Sequence, residues 1–320
     1  MRLHIHHETL YRYERKVEHT VQQLRLTPRR ETRQRALEWK LATPGRRTEQ
    51  VDAFGNVSHL LTVDEPHAEL RLTVDGIVET DAEGAAGRVA DAGGLSPLVY
   101  LSPTPLTGAD AAVSALAERA LLAEAFADHA LAHPAALAHP AALAANAAAG
   151  GSVPAMAPTV RLQRFQDLAT LVRETIRYAP GATTVDLPAA AALARGEGVC
   201  QDHAHLFLAC CRASGLAARY VSGYFFTGDA GDLASHAWVD VWMPPDAMDP
   251  NPTGYWLGLD VTHGMPAGTH HVRLAVGRDY LDAAPVRGVR RGGGSEELSV
   301  RVLVGDRPTS AAEQAQQQQQ

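Results

Sequence analysis

The sequence predicts an α+β protein on three observations. Residues 1–81 alternate apolar and polar side chains with the period of two that a half-buried strand requires. An alanine-rich stretch with strong helical propensity follows, and the second half carries one glycine-bounded apolar helix succeeded by short strands. At 320 residues, 46% of them hydrophobic and 20% charged, the chain has apolar surface for one large or two modest domains.

In the first segment, Leu3, Ile5, His7 and Thr9 share one face of LHIHHETLYRY, and ELRLTVDGIVE repeats the pattern. Turns are expected at TPRR, TPGRR, the FGN of residues 54–56, and Asp75–Gly76, residues that adopt turn geometry at low cost. Residues 1–81 therefore read as an antiparallel β domain. A metal cluster of His4, His6 and His7 is disfavoured, because alternation turns His7 away from the other two.

Residues 82–158 read as a linker and an alanine-rich helical segment. The linker covers residues 82–94, and helical sequence from Gly108 to Ala148 is broken at Pro134 and Pro140. Those prolines interrupt any shared metal face for His129, His133 and His139, which read as surface histidines. Residues 159–306 read as a core domain with C-terminal strands. It opens with an amphipathic helix over residues 160–177, where Phe165, Leu168, Val172 and Ile176 recur at helical spacing. The glutamine-rich residues 307–320 have no apolar periodicity and read as disordered.

The net charge of −7 gives no electrostatic reason to expect a phosphate backbone as partner, so no nucleic acid is expected. No run is long enough to cross a bilayer and the first residues lack the apolar core of a signal peptide, so no membrane partner and a cytoplasmic address are expected. The cysteines, Cys200, Cys210 and Cys211, are odd in number and two are adjacent, which suits free thiols in a reducing compartment.

The chemistry concentrates in GEGVCQDHAHLFLACCRASGLAARYVSGYFF. A glycine-broken loop leads into a helix ending near Ala213, with Gly215 as its stop and a strand over residues 217–226. Cys200 falls in the first turn, where free backbone N–H groups and the helix dipole favour a thiolate. Cys210 and Cys211 fall in the apolar part of the helix and read as core. Asp202 would oppose a thiolate if it pointed inward, so a base is required. His236, opening the strand HAWVDVWM, is the candidate base, and Asp260, ending the strand YWLGLD, is placed to hold its imidazole.

The order GVCQD, RYVSGY, SHAWV, GLDVTHG, with IRYAPGATTVDLPAAAALARGEGVC upstream and HHVRLAVGRDY downstream, resembles the transglutaminase-like superfamily. The β-rich start is similar to the N-terminal region of its bacterial members. The resemblance implies a papain-like core, a helix opened by the nucleophile and packed on an antiparallel sheet. It also implies the nucleophile role for Cys200, the base role for His236 and the orienting role for Asp260. Two departures stand out: His203 replaces a more usual aromatic residue, and VTHG replaces a proline-and-asparagine version.

A thiol so placed would attack a carboxamide or peptide carbonyl of a protein or peptide substrate, with glutamine as one amide donor. The thioester would then pass to an amine or to water. Sequence leaves these outcomes open, along with oligomeric state and the second oxyanion donor. Tyr178 is a candidate for that donor, although it reads more readily as a core tyrosine. A zinc site of Cys200, His203 and His205 is rejected because it lacks a distant second pair and would consume the nucleophile. No acidic loop has calcium-ligand spacing, so neither metal nor cofactor is expected. The alternative from another class is a non-catalytic interaction module that kept the fold.

Overall fold

One strand organises the first sheet: β1 (Arg2–Leu24) runs for 23 residues and pairs with partners on both of its edges. The computed structural model describes residues 1–81, 87–91, 94–121, 158–228, 232–233, 235–244 and 254–307. The predicted alternation holds, with Leu3, Ile5, His7 and Thr9 all buried. The sheet continues through β2 (Gln34–Ala42), β3 (Arg46–Val51), β4 (Val57–Val63) and β5 (His67–Thr80), all antiparallel.

Asp75 and Gly76, expected to form a turn, lie within β5 opposite His6 and Ile5. The glycine has a packing reason instead: a Cβ at Gly76 would come within 2.1 Å of the Trp39 ring on the neighbouring strand. Residues 88–90 also depart from the linker reading. They form β6 (Arg88–Ala90), which pairs with the second sheet and buries Val89 beside Tyr100 and Trp256.

A two-residue parallel pair, β7 (Arg177–Tyr178) and β8 (Glu197–Gly198), precedes the second sheet. That sheet comprises β9 (Ala218–Phe225), β11 (His236–Met243), β12 (Tyr255–Asp260), β13 (Met265–Pro266) and β14 (His271–Gly277). Their spatial order is β13-β12-β11-β9-β14. The short β10 (Asp232–Leu233), β15 (Val286–Gly292) and β16 (Glu296–Gly305) belong to the first sheet: β15 and β16 pair with β1, and β10 with β16. The reading that kept the C-terminal strands with the core is thereby corrected. β1 is long enough to leave a second edge open, and Val302 and Val304 fill the apolar layer beneath it.

Helices Ala111–Leu121, Pro158–Thr175 and Ala189–Arg195 surround the longest-buried one, Cys200–Ala213, which packs on β9 and β11. A single turn, Tyr280–Ala283, follows β14. The remainder of the alanine-rich segment, with His129, His133 and His139, and the glutamine-rich tail lie outside the described residues.

The two sheets meet through Leu3, Ile5 and Val78 against Tyr224, Val272 and Leu274. Two amides reinforce the contact. Asn56, from the predicted FGN turn, donates from Nδ2 to the Val276 carbonyl at 2.8 Å and accepts the Val276 N–H at 2.8 Å. Gln34 makes the same pair of bonds to Arg273, donating at 2.8 Å and accepting at 2.9 Å. These side chains satisfy backbone groups along β14, the edge of the second sheet.

Candidate active site

Gly196, at φ 73°, ends the preceding helix and turns the chain into Gly198 and Val199, from which the Cys200 helix starts. Asp202 secures that start. Its Oδ2 accepts the Val199 N–H at 2.7 Å and the Thr183 hydroxyl at 2.6 Å, so the carboxylate faces the helix cap. Gly198 makes room for it, since a Cβ there would meet Asp202 Oδ2 at 2.6 Å. Cys200 remains partly exposed at the first helical position, while Cys210 and Cys211 are buried. Burial pushes the Cys210 thiol up to about 12 and Cys211 well above its ordinary value.

The pairing of Val239 with Leu259 brings Asp260 diagonal to His236 on the same face of the β11–β12 ladder. His236 Nε2 sits 2.8 Å from Asp260 Oδ2, and Cys200 lies near enough for its charge to act on the imidazole. With Nε2 taken by the carboxylate, Nδ1 is the atom left for sulfur. Burial alone would lower the His236 pKa, but the hydrogen bond to Asp260 and the charges of Asp260 and Cys200 push it up to about 10. The structure thus brings together all three residues singled out from sequence.

It also adds two. His263 Nδ1 lies 2.8 Å and His271 Nε2 3.0 Å from the same Asp260 Oδ2, and the His263 backbone N–H donates to Oδ1 at 3.1 Å. Burial would raise the Asp260 pKa, yet the hydrogen bonds from these three histidines hold it far below the carboxylate range. The Phe225 ring packs among them, its centroid 5.3, 4.5 and 4.6 Å from those of His236, His263 and His271. The sequence signal was a histidine three residues beyond Asp260 and another opening β14, neither interpretable without the register.

Ring atoms of His236 and His271 and a carboxylate oxygen of Asp260 lie within 4.8 Å of one another, a spacing a metal ion could span. The donor set does not fit that use. Gly268 N–H donates to His271 Nδ1 at 3.1 Å, which puts the neutral ring's proton on Nε2, the atom facing Asp260.

His203, considered as a rival base, has both nitrogens occupied: Nε2 bonds the Ile176 carbonyl at 2.9 Å and Nδ1 the Thr262 hydroxyl at 3.0 Å. It ties the Cys200 helix to the turn after Asp260. His205 is buried and its Nε2 accepts the Tyr280 N–H at 3.1 Å. Tyr178 is not the core tyrosine expected. It is 51% exposed, and its pKa is raised by partial burial and by the charge of nearby Cys200.

Residues 3–79 match the bacterial transglutaminase-like N-terminal region, and residues 147–261 the transglutaminase-like superfamily core. An uncharacterized protein of Mycobacterium tuberculosis is 34% identical over 300 residues, covering 90% of this chain and 87% of its own. One from Mycobacterium leprae is 30% identical over 318 residues, covering 95% and 98%. The crystal structure of a candidate cysteine protease from Cytophaga hutchinsonii superposes with a TM-score of 0.59 at 19% identity, covering 97% of this chain and 92% of that one. Two family models in the expected order, and relatives matched over nearly their whole length, show that the chain belongs to the transglutaminase-like superfamily, with the bacterial form of its N-terminal region.

Proposed function

We propose that the protein is a cysteine-nucleophile enzyme acting on a carboxamide or peptide bond of a protein or peptide substrate. Cys200, His236 and Asp260 are its triad. The observation that carries this reading is His236 hydrogen-bonded to the buried Asp260 carboxylate and close enough to Cys200 for the two to act on each other electrostatically. The raised basicity of His236 lets it take the thiol proton, and Asp260 stabilises the resulting imidazolium.

Sulfur then bonds to the carbonyl carbon, and the oxyanion is met by the Cys200 backbone N–H. Exposed Tyr178, beside the thiol, is a second donor in this scheme. As the intermediate collapses the C–N bond breaks, and the imidazolium proton leaves with the amine. The thioester is resolved by a second amine, giving transfer, or by water, giving hydrolysis. The free thiols fit action in the reducing cytoplasm. Among the described residues no helix is long and apolar enough to cross a membrane.

The test is intact mass after brief exposure to iodoacetamide at mildly acidic pH, where only an activated thiol labels quickly. Rapid addition of one group, abolished in Cys200→Ala and slowed at least about tenfold in His236→Ala, is the expected result. Labelling no faster than an ordinary thiol would favour a binding module that kept the fold without the reaction.

A further inference from the structure

Three imidazoles converge on one carboxylate, and they are not equivalent. His236 also feels the charge of Cys200, and His263 is partly open, its side chain 38% exposed. His271 is enclosed. Its Nδ1 accepts a backbone N–H from Gly268, and its ring is held by Trp238 at 5.1 Å and Phe225 at 4.6 Å. A proton added at Nδ1 would confront that N–H, so His271 is confined to the neutral form that donates from Nε2 to Asp260.

We propose that His271 is a positioning residue: a permanently neutral donor that holds the Asp260 carboxylate and takes a share of its charge, so that Asp260 does not bind the His236 imidazolium too tightly for its proton to leave. This rests on the triad reading above. Burial, which lowers the His271 pKa against the opposing effect of Asp260, agrees with it. The groups facing the His236–Asp260 pair are Cys200 and His203 from the Cys200 helix, His263 from the turn after β12, and His271 from β14, with Arg273 acting in turn on His271. Asp202 and Arg173 act in turn on His203.

A carboxylate that loses one donor concentrates its charge on the remaining partners. The test is histidine-labelled NMR of the full chain in a Cys200→Ala background, which separates this question from thiol reactivity. His271→Leu should raise the His236 titration midpoint by about one pH unit, the size of one hydrogen bond to a charged group. His271→Gln, whose amide can donate from nearly the same place, should stay within about a third of that. In the unsubstituted protein the His271 ¹⁵N shifts should report a neutral ring with its proton on Nε2 from pH 5 to pH 9. An unmoved or lowered midpoint in a folded His271→Leu protein, or a His271 ring protonated on Nδ1, overturns the proposal. Slow alkylation of unsubstituted Cys200 overturns the triad reading instead.

Discussion

Asp260 is fully buried, and its oxygens accept bonds from three imidazoles and a backbone N–H. A carboxylate so surrounded keeps its charge without a cationic partner from Lys or Arg, and lends it to whichever imidazole takes a proton. Asp260→Asn would remove that charge and permit the wrong His236 tautomer. On an amide substrate, kcat/KM is expected to fall by about 10²–10⁴-fold while far-UV circular dichroism stays unchanged. Cys200, His236 and Asp260 were legible in sequence because each stands at the end of a periodic element, where local rules apply. His263 and His271 were not, because what defines them is convergence on one oxygen from a turn and from β14, which is not adjacent to β12 in the sheet.

The Cys200 helix depends on its first turn. Asp202 closes it by accepting from Val199 and from Thr183, which reaches it from the preceding loop. Asp202→Ala would free both donors and fray the turn that presents the thiol. A loss of about 1–2 kcal/mol in urea unfolding is expected, together with slower Cys200 labelling. If labelling were untouched at that loss of stability, the cap would serve folding alone. The bounds of this helix were predictable because Gly196 and Gly215 bracket a largely apolar run of helical length. Asp75–Gly76 misled, since a glycine kept for close packing against Trp39 carries the same sequence signature as one kept for a turn.

The whole molecule carries histidines that titrate in opposite senses. Burial, aided by the His6 charge, lowers His7 to about 4, and burial followed by the Arg212 charge lowers His205 to about 3. Below their unfolded value of 6.5 the unfolded chain binds protons that the folded one refuses, so stability is lost as pH falls from there. By pH 4 the loss approaches about 3 kcal/mol for each of these two residues. His236, raised to about 10, works the other way: its contribution is complete below 6.5 and is lost as pH climbs toward 10. Scanning calorimetry from pH 4 to pH 9 should therefore show Tm highest near neutrality and falling on both sides. A Tm still rising below pH 6 would contradict the neutral burial of His7 and His205. The return of β15 and β16 to β1 belongs to this scale too, and periodicity could not foretell it, because strand sequences do not specify partners.

Asn56 and Gln34 impersonate a neighbouring strand, offering β14 the N–H and C=O groups that another chain would otherwise supply. A fragment cut to the core at residues 159–284 would be born with that row of backbone unclaimed. It should associate edge to edge into growing particles visible by light scattering, while the full chain should not. A lineage that exchanged the N-terminal region for another would have to bring its own pair of amides, or keep the old one as a stopper long after any other use for it had gone.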